Sequence, residues 1–354
     1  METTHRVHVG DAQSLPLADD SVSLVVTSPP YPMVEMWDDS FAAQDGAVGA
    51  ALERGDGAAA FDRMHDLLAE AWGEVARVLE PGGIAVVNVG DATRRLDGTF
   101  EQYPNAAAVT DRVRETGLSS LPGLLWRKPT NSAAKFMGSG TLPPNAYPTL
   151  EHEHLLIFRN GDTRSYPPGD DDRYESAYFW EERNEWFSDL WEFTGTRQRL
   201  SATDADGDGD ALDPDLRERS GAFPLRVPLR LVLMFSTYGE TVLDPFWGTG
   251  TTSMAALVAG RDSVGVEREA GLVEAFDERV DEAPARSRQV AEERLDAHRE
   301  FLADWDDSPN YEAEHYAFGV VTKQERRIRL RRVESVERTD GADPRTYRAT
   351  HAPV

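Results

Sequence analysis

The chain of 354 residues is 40% hydrophobic and has no apolar run long enough to cross a bilayer, so we expect a soluble protein. Cysteine is absent, which excludes disulfides, thiolate metal sites and covalent catalysis through a cysteine nucleophile. The formal net charge is −26, from 63 acidic and 37 basic residues. The first residues carry no apolar segment typical of a secretion signal, and we therefore expect a cytoplasmic location.

The acidic charge balance has two interpretations. In dilute buffer it is typical of a protein that avoids nucleic acid, because its surface repels phosphate groups. It is also similar to the composition of proteins from salt-accumulating halophiles, and only three of the basic residues are lysines. In about 1 M salt the Debye length falls to roughly 3 Å, so long-range repulsion from DNA is mostly screened. The net charge alone therefore does not exclude a DNA substrate.

The first 160 residues predict alternating strands and helices. Strands are predicted in RVHVGDA and SVSLVVT, followed by an acidic, Gly/Ala-rich loop. From Phe61 to Leu79 apolar residues recur at spacings of three and four, which predicts a helix that ends at the EPGG segment. IAVVNVGD and HLLIFRNG predict two more strands, with a helix over 105–116 between them. This alternation indicates an α/β fold with a mostly parallel sheet.

The alternation stops over residues 160–222, which are polar, aromatic and irregular in pattern. A helix is predicted again in PLRVPLRLVLMFSTYG, which has a proline near its first turn and a glycine after its end. The next segment, ETVLDPFWGTGTTSMAALVAGRDSVGVE, predicts a strand, a glycine loop, a helix and a second strand. Beyond Arg268 the sequence predicts charged helices and a final β-like stretch.

The glycine loop has the pattern of a nucleotide-type cofactor site. A strand ends at Asp244, Gly248 and Gly250 permit a tight turn, and a helix begins near Thr251, so that N–H groups face a crevice. Glu267 ends the following strand, where an acid can accept hydrogen bonds from ribose hydroxyls. An ordinary strand–helix turn is the alternative interpretation.

Two common nucleotide loops are excluded or disfavoured by the letters after the glycines. No Gly-Lys-Ser/Thr follows, so the loop is not a Walker loop. Ser253 stands where a dinucleotide fingerprint would have its third glycine. S-adenosylmethionine is the remaining candidate cofactor.

The TSPPY segment suggests chemistry at a neighbouring strand end. Proline fixes φ and lacks an N–H, so Pro29 and Pro30 stop the strand and hold the turn rigid. An exocyclic amine of a nucleobase is a poor nucleophile because its lone pair is delocalised into the ring. The Ser28 hydroxyl and the Pro29 carbonyl could accept its N–H bonds and free that lone pair for attack on a sulfonium methyl group. Tyr31 would stack on the base.

These segments resemble a known family. TSPPY and DPFWGTGTT, with GDAQSL ahead and SVGVE behind, are similar to the DNA methyltransferases that form N4-methylcytosine or N6-methyladenine. The catalytic motif precedes the cofactor motif, as in the β group, and the composition resembles halophilic-archaeal members acting on short palindromes such as CTAG. The resemblance implies a Rossmann-like, class I α/β fold with permuted motif order. It also implies S-adenosylmethionine as cofactor, duplex DNA with a flipped base as partner, and a cognate restriction nuclease as a candidate partner.

The resemblance also assigns roles to residues. The catalytic step would comprise Ser28, Pro29, Pro30 and Tyr31. The cofactor would be bound by Asp11 at the adenine amine, by Glu267 at the ribose, and at the methionine end by Asp244, Phe246, Gly248, Gly250 and Thr251. Serine at the head of the motif favours N4 of cytosine, with N6 of adenine, or a non-catalytic nucleic-acid-binding protein, as alternatives. C5-cytosine methylation is excluded, because it requires a cysteine.

The resemblance divides the chain into four parts. We expect a catalytic half over 1–159, a target-recognition region over 160–222, a cofactor-binding half over 223–270 and a helical plus β extension over 271–354. The recognition region carries arginines that could contact base edges or could belong to a surface loop: Arg164, Arg173, Arg183, Arg197 and Arg199.

Three other patterns are weaker. DADGDGDALDPD matches EF-hand spacing but ends in aspartate at Asp215 and lacks flanking amphipathic helices, so a solvated loop is favoured. His152 and His154 would share a strand face without a third ligand, so no metal is predicted. In TKQERRIRLRRV, a strand would place Arg327, Arg329 and Arg331 on one face, which suits phosphate contact or pairing with acidic residues of the same chain.

Overall fold

The computed structural model of the protein describes residues 1–128, 136–138, 141–193, 223–305, 307–339, 341 and 343–354. The strands are β1 Glu2–Val9, β2 Val22–Thr27, β3 Leu79–Val89, β4 Ala92–Leu96, β5 Thr99–Tyr103, β6 Ser119–Arg127, β7 Phe136–Gly138, β8 Ala146–Pro148, β9 His152–Arg159, β10 Leu190–Glu192, β11 Thr241–Asp244, β12 Asp262–Glu267, β13 Tyr311–Glu312, β14 Gly319–Val320, β15 Arg331–Thr339 and β16 Arg345–Pro353.

The α-helices are α1 Asp38–Gln44, α2 Gly46–Glu53, α3 Gly57–Val78, α4 Asn105–Glu115, α5 Asp171–Glu175, α6 Trp180–Trp186, α7 Arg226–Phe235, α8 Thr251–Ala259, α9 Ala270–Val280 and α10 Ala283–Asp304. Short 3-10 turns cover Glu35–Trp37 and Gln324–Arg327. In the part of the chain that the structure describes, no helix combines the length and the apolar character that a membrane crossing requires.

One large sheet organises the molecule, with the strand order β10-β6-β9-β3-β2-β11-β12-β1-β16-β15. Its five central strands, β3, β2, β11, β12 and β1, are parallel. Strands β9 and β16 run in the opposite direction to their neighbours. The predicted mostly parallel α/β fold is therefore confirmed. Because β1 pairs with β12, and β2 with β11, both halves of the chain build the same sheet.

The central strand β2 is buried along its whole length, as expected for a parallel strand covered on both faces. Alternate side chains point to opposite faces of the sheet. Val25 packs in the cluster that contains Trp72 of α3, whereas Leu24 and Val26 pack in the cluster that contains Leu231 of α7. Helices thus enclose the sheet from both sides and fix the position of the end of β2.

The C-terminal part of the chain extends this sheet and supports the glycine loop. Strands β16 and β15 continue the sheet beyond β1. Phe276 of α9 and Tyr347 of β16 lie in a buried cluster with Val7 of β1 and Trp247 of the loop. The Phe276 ring meets both Trp247 and Tyr347 edge-on, at centroid distances of 5.0 and 5.4 Å. The loop therefore rests on aromatic side chains from the C-terminal helices and strands.

Buried ionic contacts connect α6 to α10. Arg294 donates to both carboxylate oxygens of Glu182, at 2.5 and 2.8 Å, and both side chains are almost fully buried. One turn further, His298 Nδ1 lies 3.0 Å from Glu181 Oε1, and the ring stacks on Phe179. Burial opposes charge on His298, but the hydrogen bond and the charge of Glu181 raise its pKa overall. These contacts attach the first part of the 160–222 segment to the C-terminal helix.

Several element predictions were wrong. The acidic, Gly/Ala-rich segment predicted as a loop contains α1 and α2, and the Asp45 side chain caps α2 by accepting from the N–H of Ala47. The EPGG segment was predicted to end the long helix, but it lies within β3, which begins at Leu79 directly after α3. The described part of 160–222 is not irregular, since it contains α5, α6 and β10.

A group of buried histidines lies between β1, β12 and β16. His5 is 1% exposed, with its Nδ1 atom 2.9 Å from Ser263 Oγ and its Nε2 atom 3.0 Å from Thr3 Oγ1. Thr3 Oγ1 also lies 2.9 Å from the ring of His351. Burial lowers the pKa of His5 to about 3 and that of His351 to about 4. Both rings are therefore neutral in the folded protein at ordinary pH.

This burial predicts acid destabilisation below the ordinary histidine pKa. The unfolded chain binds a proton on His5 near pH 6.5 and the folded chain does not until about pH 3, so the free energy of unfolding falls as the pH is lowered through that range. At pH 5 the loss due to His5 is about 2 kcal/mol, at 1.36 kcal/mol per pH unit. Denaturant unfolding at pH 7 and 5 in constant high salt measures it.

His5→Gln keeps polar atoms near Ser263 and Thr3 but cannot bind the extra proton. We therefore expect its free energy of unfolding to fall between pH 7 and 5 by about 2 kcal/mol less than that of the unsubstituted protein. His315, which is exposed, provides the control variant His315→Gln, and we expect it to behave as the original chain does. Equal losses in His5→Gln and in the unsubstituted protein would contradict a neutral, buried His5.

Candidate active site

The predicted site residues meet at one edge of the sheet. The five central strands are parallel, so their carboxyl ends share an edge, and ligands of such sheets bind in the crevice outside those ends. The order of the strands brings the following residues to this edge: Ser28, Pro29, Pro30 and Tyr31 after β2, Asp244 at the end of β11 and Phe246 just after it, Gly248 and Gly250 ahead of α8, Thr251 at the start of α8, Glu267 at the end of β12, and Asp11 after β1.

Asp244 joins the two central strand ends. Its Oδ1 atom accepts hydrogen bonds from Thr27 Oγ1 at 2.7 Å and from the N–H of Phe246 at 3.1 Å. Its Oδ2 atom accepts from Thr252 Oγ1 at 2.7 Å. The residue is 3% exposed, and burial raises its pKa to about 6 against the opposing effect of the three donors. Both oxygens are engaged within the chain, so Asp244 fixes the glycine loop to the end of β2.

The glycine loop needs its two glycines for different reasons. Gly248 and Gly250 have φ values of 55° and 77°, in the left-handed region that favours glycine. A Cβ atom on Gly250 would lie 2.6 Å from ring atoms of both Phe276 and Trp247, so the packing of these two rings leaves no room for a side chain at this position. Beside Gly248 the space is open, with the nearest atom 3.9 Å away. Gly248 therefore leaves open space where a side chain would project.

Two carboxylates lie at the adjacent ends of β1 and β12. Glu267 accepts from the N–H of Gly248 at 2.7 Å and from that of Glu269 at 3.0 Å, and burial raises its pKa. Asp11 lies 3.1 Å from Arg268 in an ion pair, and the two ends are joined by a backbone bond from Gly10 to Glu267 of 2.8 Å. Glu267, beside the glycine loop, suits the ribose hydroxyls of a nucleoside. Asp11, at the neighbouring strand end, suits the amine of its base.

Tyr31 belongs to a hydrogen-bonded group that the sequence did not predict. Its Oη atom lies 3.1 Å from Ser28 Oγ, accepts from Asn88 Nδ2 at 2.9 Å and donates to Glu153 Oε2 at 3.2 Å. Asn88 also donates to Glu153 at 2.6 Å, and Lys128 pairs with the other oxygen of Glu153. Burial, together with the charge of Glu153, raises the pKa of Tyr31 well above its ordinary value, so the phenol keeps its proton.

The ring of Tyr31 lies against Gly90, directly after β3. A Cβ atom on Gly90 would be 3.2 Å from Tyr31 Cε2 and 3.3 Å from Glu153 Cγ. The glycine therefore allows the ring and the carboxylate stem to approach the backbone. The hydroxyl end of the ring is held by three side chains, which orients Tyr31 at the end of β2.

Asn88, Glu153 and Lys128 were missed because their meeting depends on strand order. Strand β9 is antiparallel to β3 and places its first residues beside the last residues of β3, with His154 opposite Val89. The end of β6 lies at the same edge, with Trp126 opposite Glu153. Alternation within EHEH was the available signal, since it places Glu153 on the face opposite His152 and His154.

The two histidines of this segment show no assembled metal site in the structure. The His152 and His154 rings make an edge-on contact at 5.1 Å. In the described ranges, the group with metal-like donor spacing lies elsewhere, at Glu181, His298 and Glu325. The EF-hand-like residues 204–215 lie outside the described residues.

The arginines considered either as base contacts or as part of a surface loop differ in environment. Arg164 forms ion pairs with Glu80 at 3.0 Å and Glu240 at 2.8 Å, so it serves internal packing. The Arg173 guanidinium lies over the ring of Tyr166, at 4.6 Å. Arg183 lies over Trp180, whereas Arg197 and Arg199 are outside the described residues.

The basic run near the C-terminus does not form the predicted strand face. Residues 324–327 form a 3-10 turn and β15 begins only at Arg331, because Ile328 and Leu330 are both buried in a cluster around Phe179. Arg327 pairs with Asp171, and Arg329 and Arg331 pair with Glu175 at 3.6 and 2.6 Å. Pairing with acidic residues of the same chain, the other interpretation of this run, is confirmed.

Comparison with known proteins gives the family. The N6/N4 methyltransferase family model, described as a DNA methylase, matches residues 22–278. The type II methyltransferase M.MthZI of Methanothermobacter thermautotrophicus is 43% identical over 335 residues, which cover 93% of this chain and 91% of its own length. The type II methyltransferase M.MjaI of Methanocaldococcus jannaschii is 42% identical over 290 residues, covering 78% of this chain and 91% of its own.

A solved structure shows the same fold. TTHA0409 from Thermus thermophilus, a proposed DNA modification methylase complexed with S-adenosyl-L-methionine, superposes with a TM-score of 0.57 at 31% identity. The match covers 78% of this chain and 92% of that one. The chain therefore belongs to the N6/N4 family of S-adenosylmethionine-dependent DNA methylases.

Proposed function

We propose that the protein is a site-specific methyltransferase that moves a methyl group from S-adenosylmethionine to the N4 amine of cytosine in duplex DNA. The observation that carries the proposal is the hydrogen bond of 2.7 Å between Thr27 and Asp244. It joins the strand end that leads into Ser28 and Pro29 to the strand end that leads into the glycine loop. A single nucleobase can therefore lie beside both.

The cofactor site is assigned to the crevice beside the glycine loop. The open space beside Gly248, with Phe246 and Thr251 on either side of it along the chain, suits the methionine end of the cofactor. Glu267 and Asp11 suit the ribose hydroxyls and the adenine amine. These groups fit S-adenosylmethionine, which supplies a methyl group made electrophilic by the positive sulfur. The relative TTHA0409 is complexed with the same molecule.

Ser28 and Pro29 are assigned to activation of the amine. Hydrogen bonds from the amine to the Ser28 hydroxyl and the Pro29 carbonyl would draw the nitrogen towards a tetrahedral geometry and free its lone pair. The two prolines and the buried end of β2 keep these acceptors in place, so little reorganisation is needed during the reaction. Methylation of carbon 5 is excluded, because that reaction needs a cysteine and the chain has none.

The choice of cytosine rests on Ser28. Adenine-specific members of the family more often carry an aspartate at this position. The N6 amine of adenine would fit the same geometry, so the choice between cytosine and adenine depends on identifying the methylated product.

DNA is the assigned partner. The base must leave the helix to reach a crevice at the edge of the sheet. We assign the reading of the target sequence to residues 160–222 and the two flanking halves to chemistry and cofactor binding. Two of the relatives named above, M.MthZI and M.MjaI, are type II methyltransferases. By analogy with them, we assign site-specific methylation to this chain. A cognate restriction nuclease encoded near its gene is the protein partner to look for.

The product identifies the target base. Purified protein is incubated with unmethylated duplex DNA and S-adenosylmethionine in molar salt, and the DNA is then digested to nucleosides for mass spectrometry. We expect N4-methylcytosine at one short motif, located by sequencing that detects modified bases. N6-methyladenine would overturn the choice of base. DNA binding without any methylated nucleoside would instead favour a non-catalytic binding protein.

The open space beside Gly248 predicts a specific effect of Gly248→Ala. The added methyl group projects from a strained backbone into the cofactor crevice, so we expect binding of S-adenosylmethionine to weaken at least about tenfold, or about 1.4 kcal/mol. Calorimetric titration of the protein with the cofactor measures the dissociation constant.

Gly239 provides the matched control for this substitution. Its φ of 74° is also left-handed and its surroundings are open, but it lies in the turn before β11, at the opposite end of that strand. Gly239→Ala should cost about 1 kcal/mol of stability from the backbone conformation and leave cofactor binding unchanged. Equal dissociation constants for the two variants would show that the cofactor does not lie against Gly248.

A further inference from the structure

A chain of hydrogen bonds leads from the amine-activating position into the protein. It runs from Ser28 Oγ to Tyr31 Oη over 3.1 Å and from there to Glu153 Oε2 over 3.2 Å. Asn88, which is 2% exposed, spans the chain by donating to both Tyr31 and Glu153. Glu153 comes from a different strand, β9, and its second oxygen pairs with Lys128. The links therefore join side chains from three separate segments of the chain.

The charge of Glu153 determines the direction of every proton in this chain. A carboxylate only accepts hydrogen bonds, so the Tyr31 hydroxyl must point its proton at Glu153. The Tyr31 oxygen is then left as an acceptor, and the Asn88 amide and the Ser28 hydroxyl supply the donors. Ser28 donates its single proton to Tyr31. The Ser28 oxygen accepts only a long contact from Asn88 Nδ2, at 3.5 Å, so a lone pair remains to accept an N–H from the amine of a target base.

We propose that Glu153 is a positioning residue that makes Ser28 an acceptor and also receives, through Tyr31 and Ser28, the proton that the methylated amine must lose. This inference rests on the proposed function and deepens it. It holds for either base, because cytosine and adenine both present an exocyclic amine beside the ring.

The proton transfer balances. The amine lone pair forms the N–C bond, the C–S bond breaks with its electron pair on sulfur, and the nitrogen is left with one proton too many. That proton passes to Ser28 as the Ser28 proton passes to Tyr31 and the Tyr31 proton passes to Glu153. The N–H electron pair returns to nitrogen, and Glu153 becomes a neutral carboxylic acid that releases its proton to water before the next turnover.

The direction of transfer is favourable. A methylated, protonated exocyclic amine is a far stronger acid than a carboxylic acid, because only the neutral amine can delocalise its lone pair into the ring. Glu153 therefore accepts the proton even with the positive charge of Lys128 beside it. Tyr31, Asn88 and Lys128 face the carboxylate from the segments after β2, within β3 and after β6. Alternation along β9 directs its neighbours His152 and His154 to the other face.

The test compares Glu153→Gln with Glu151→Gln. Glutamine keeps the size and an oxygen acceptor at position 153 but cannot serve as the base. Glu151 lies two residues away, and its carboxylate is 3.5 Å from Arg127, so Glu151→Gln removes the same charge without touching Tyr31. Single-turnover rates of methyl transfer to duplex DNA are measured from pH 5 to 9, because product release can hide the chemical step.

We expect the single-turnover rate of the unsubstituted protein to decline at acidic pH, as for a reaction with a general base. We expect Glu153→Gln to lower the rate by about 10² or more and to lose that decline. The melting temperature and the dissociation constants for DNA and cofactor should stay close to those of the original chain. Glu151→Gln should retain its rate and pH profile. In Glu153→Ala, added formate at constant ionic strength should restore part of the rate.

The alternative outcomes separate this inference from the proposed function. An unchanged rate and pH profile in Glu153→Gln would overturn the role of Glu153 while leaving DNA methylation intact. A fall in melting temperature or in DNA binding that accounts for the lost activity, with no rescue by formate, would reduce Glu153 to a structural residue and overturn the inference. A lack of methyl transfer by the unsubstituted protein would overturn both.

Discussion

The buried carboxylate of Asp244 is the interaction on which the site depends. It holds the end of β2, the turn after β11 and the first turn of α8 together through Thr27, Phe246 and Thr252. Burying a carboxylate is costly unless its oxygens accept hydrogen bonds, and here three donors offset part of the lost hydration. Two segments that the proposed reaction must align within a fraction of an ångström are thus fixed before any ligand arrives.

This arrangement requires both halves of the chain to be present. Thr27 and Asp244 are 217 residues apart in sequence, and β1 pairs with β12 over a similar separation. The glycine loop also depends on Trp247, whose indole N–H donates to Ser253 at 2.8 Å. Ser253 in turn accepts from Ser263, whose hydroxyl lies beside His5 of β1. The crevice that we assign to the cofactor therefore depends on the whole sheet, including β15 and β16.

Much of the sheet and part of the site could be predicted from local sequence. The apolar run of β2, the Pro-Pro step and the glycine loop each carry their signal within a few residues, and the structure brings Ser28, Gly248 and Glu267 to one edge as expected. The strand that begins in EHEH and holds Glu153 was also predicted, whereas β6, which leads into Lys128, was not. The position of both side chains beside Tyr31 was not predicted, because it follows from the pairing of β9 with β3 and β6, which no local pattern encodes.

Other differences have equally specific causes. Helices α1 and α2 are only seven and eight residues long, and α2 is rich in glycine and alanine, so they carry little amphipathic signal, although the Asp45 cap was available. The basic run alternates charged and apolar residues as a strand would. In the structure it turns at 324–327 because Ile328 and Leu330 are drawn into the cluster around Phe179 while the arginines reach Asp171 and Glu175.

The Glu182–Arg294 and Glu181–His298 contacts have a consequence for changing the DNA target. Enzymes with separable specificity modules are commonly re-targeted by grafting the module from a homologue. In this protein, a graft of 160–222 that lacked the two acids would leave a buried guanidinium and a buried imidazole of α10 without counter-charges, a loss of roughly 3–5 kcal/mol for a single broken buried pair. The region that we propose reads the target and the C-terminal helix would therefore have to be transplanted, and have to diverge, as one unit.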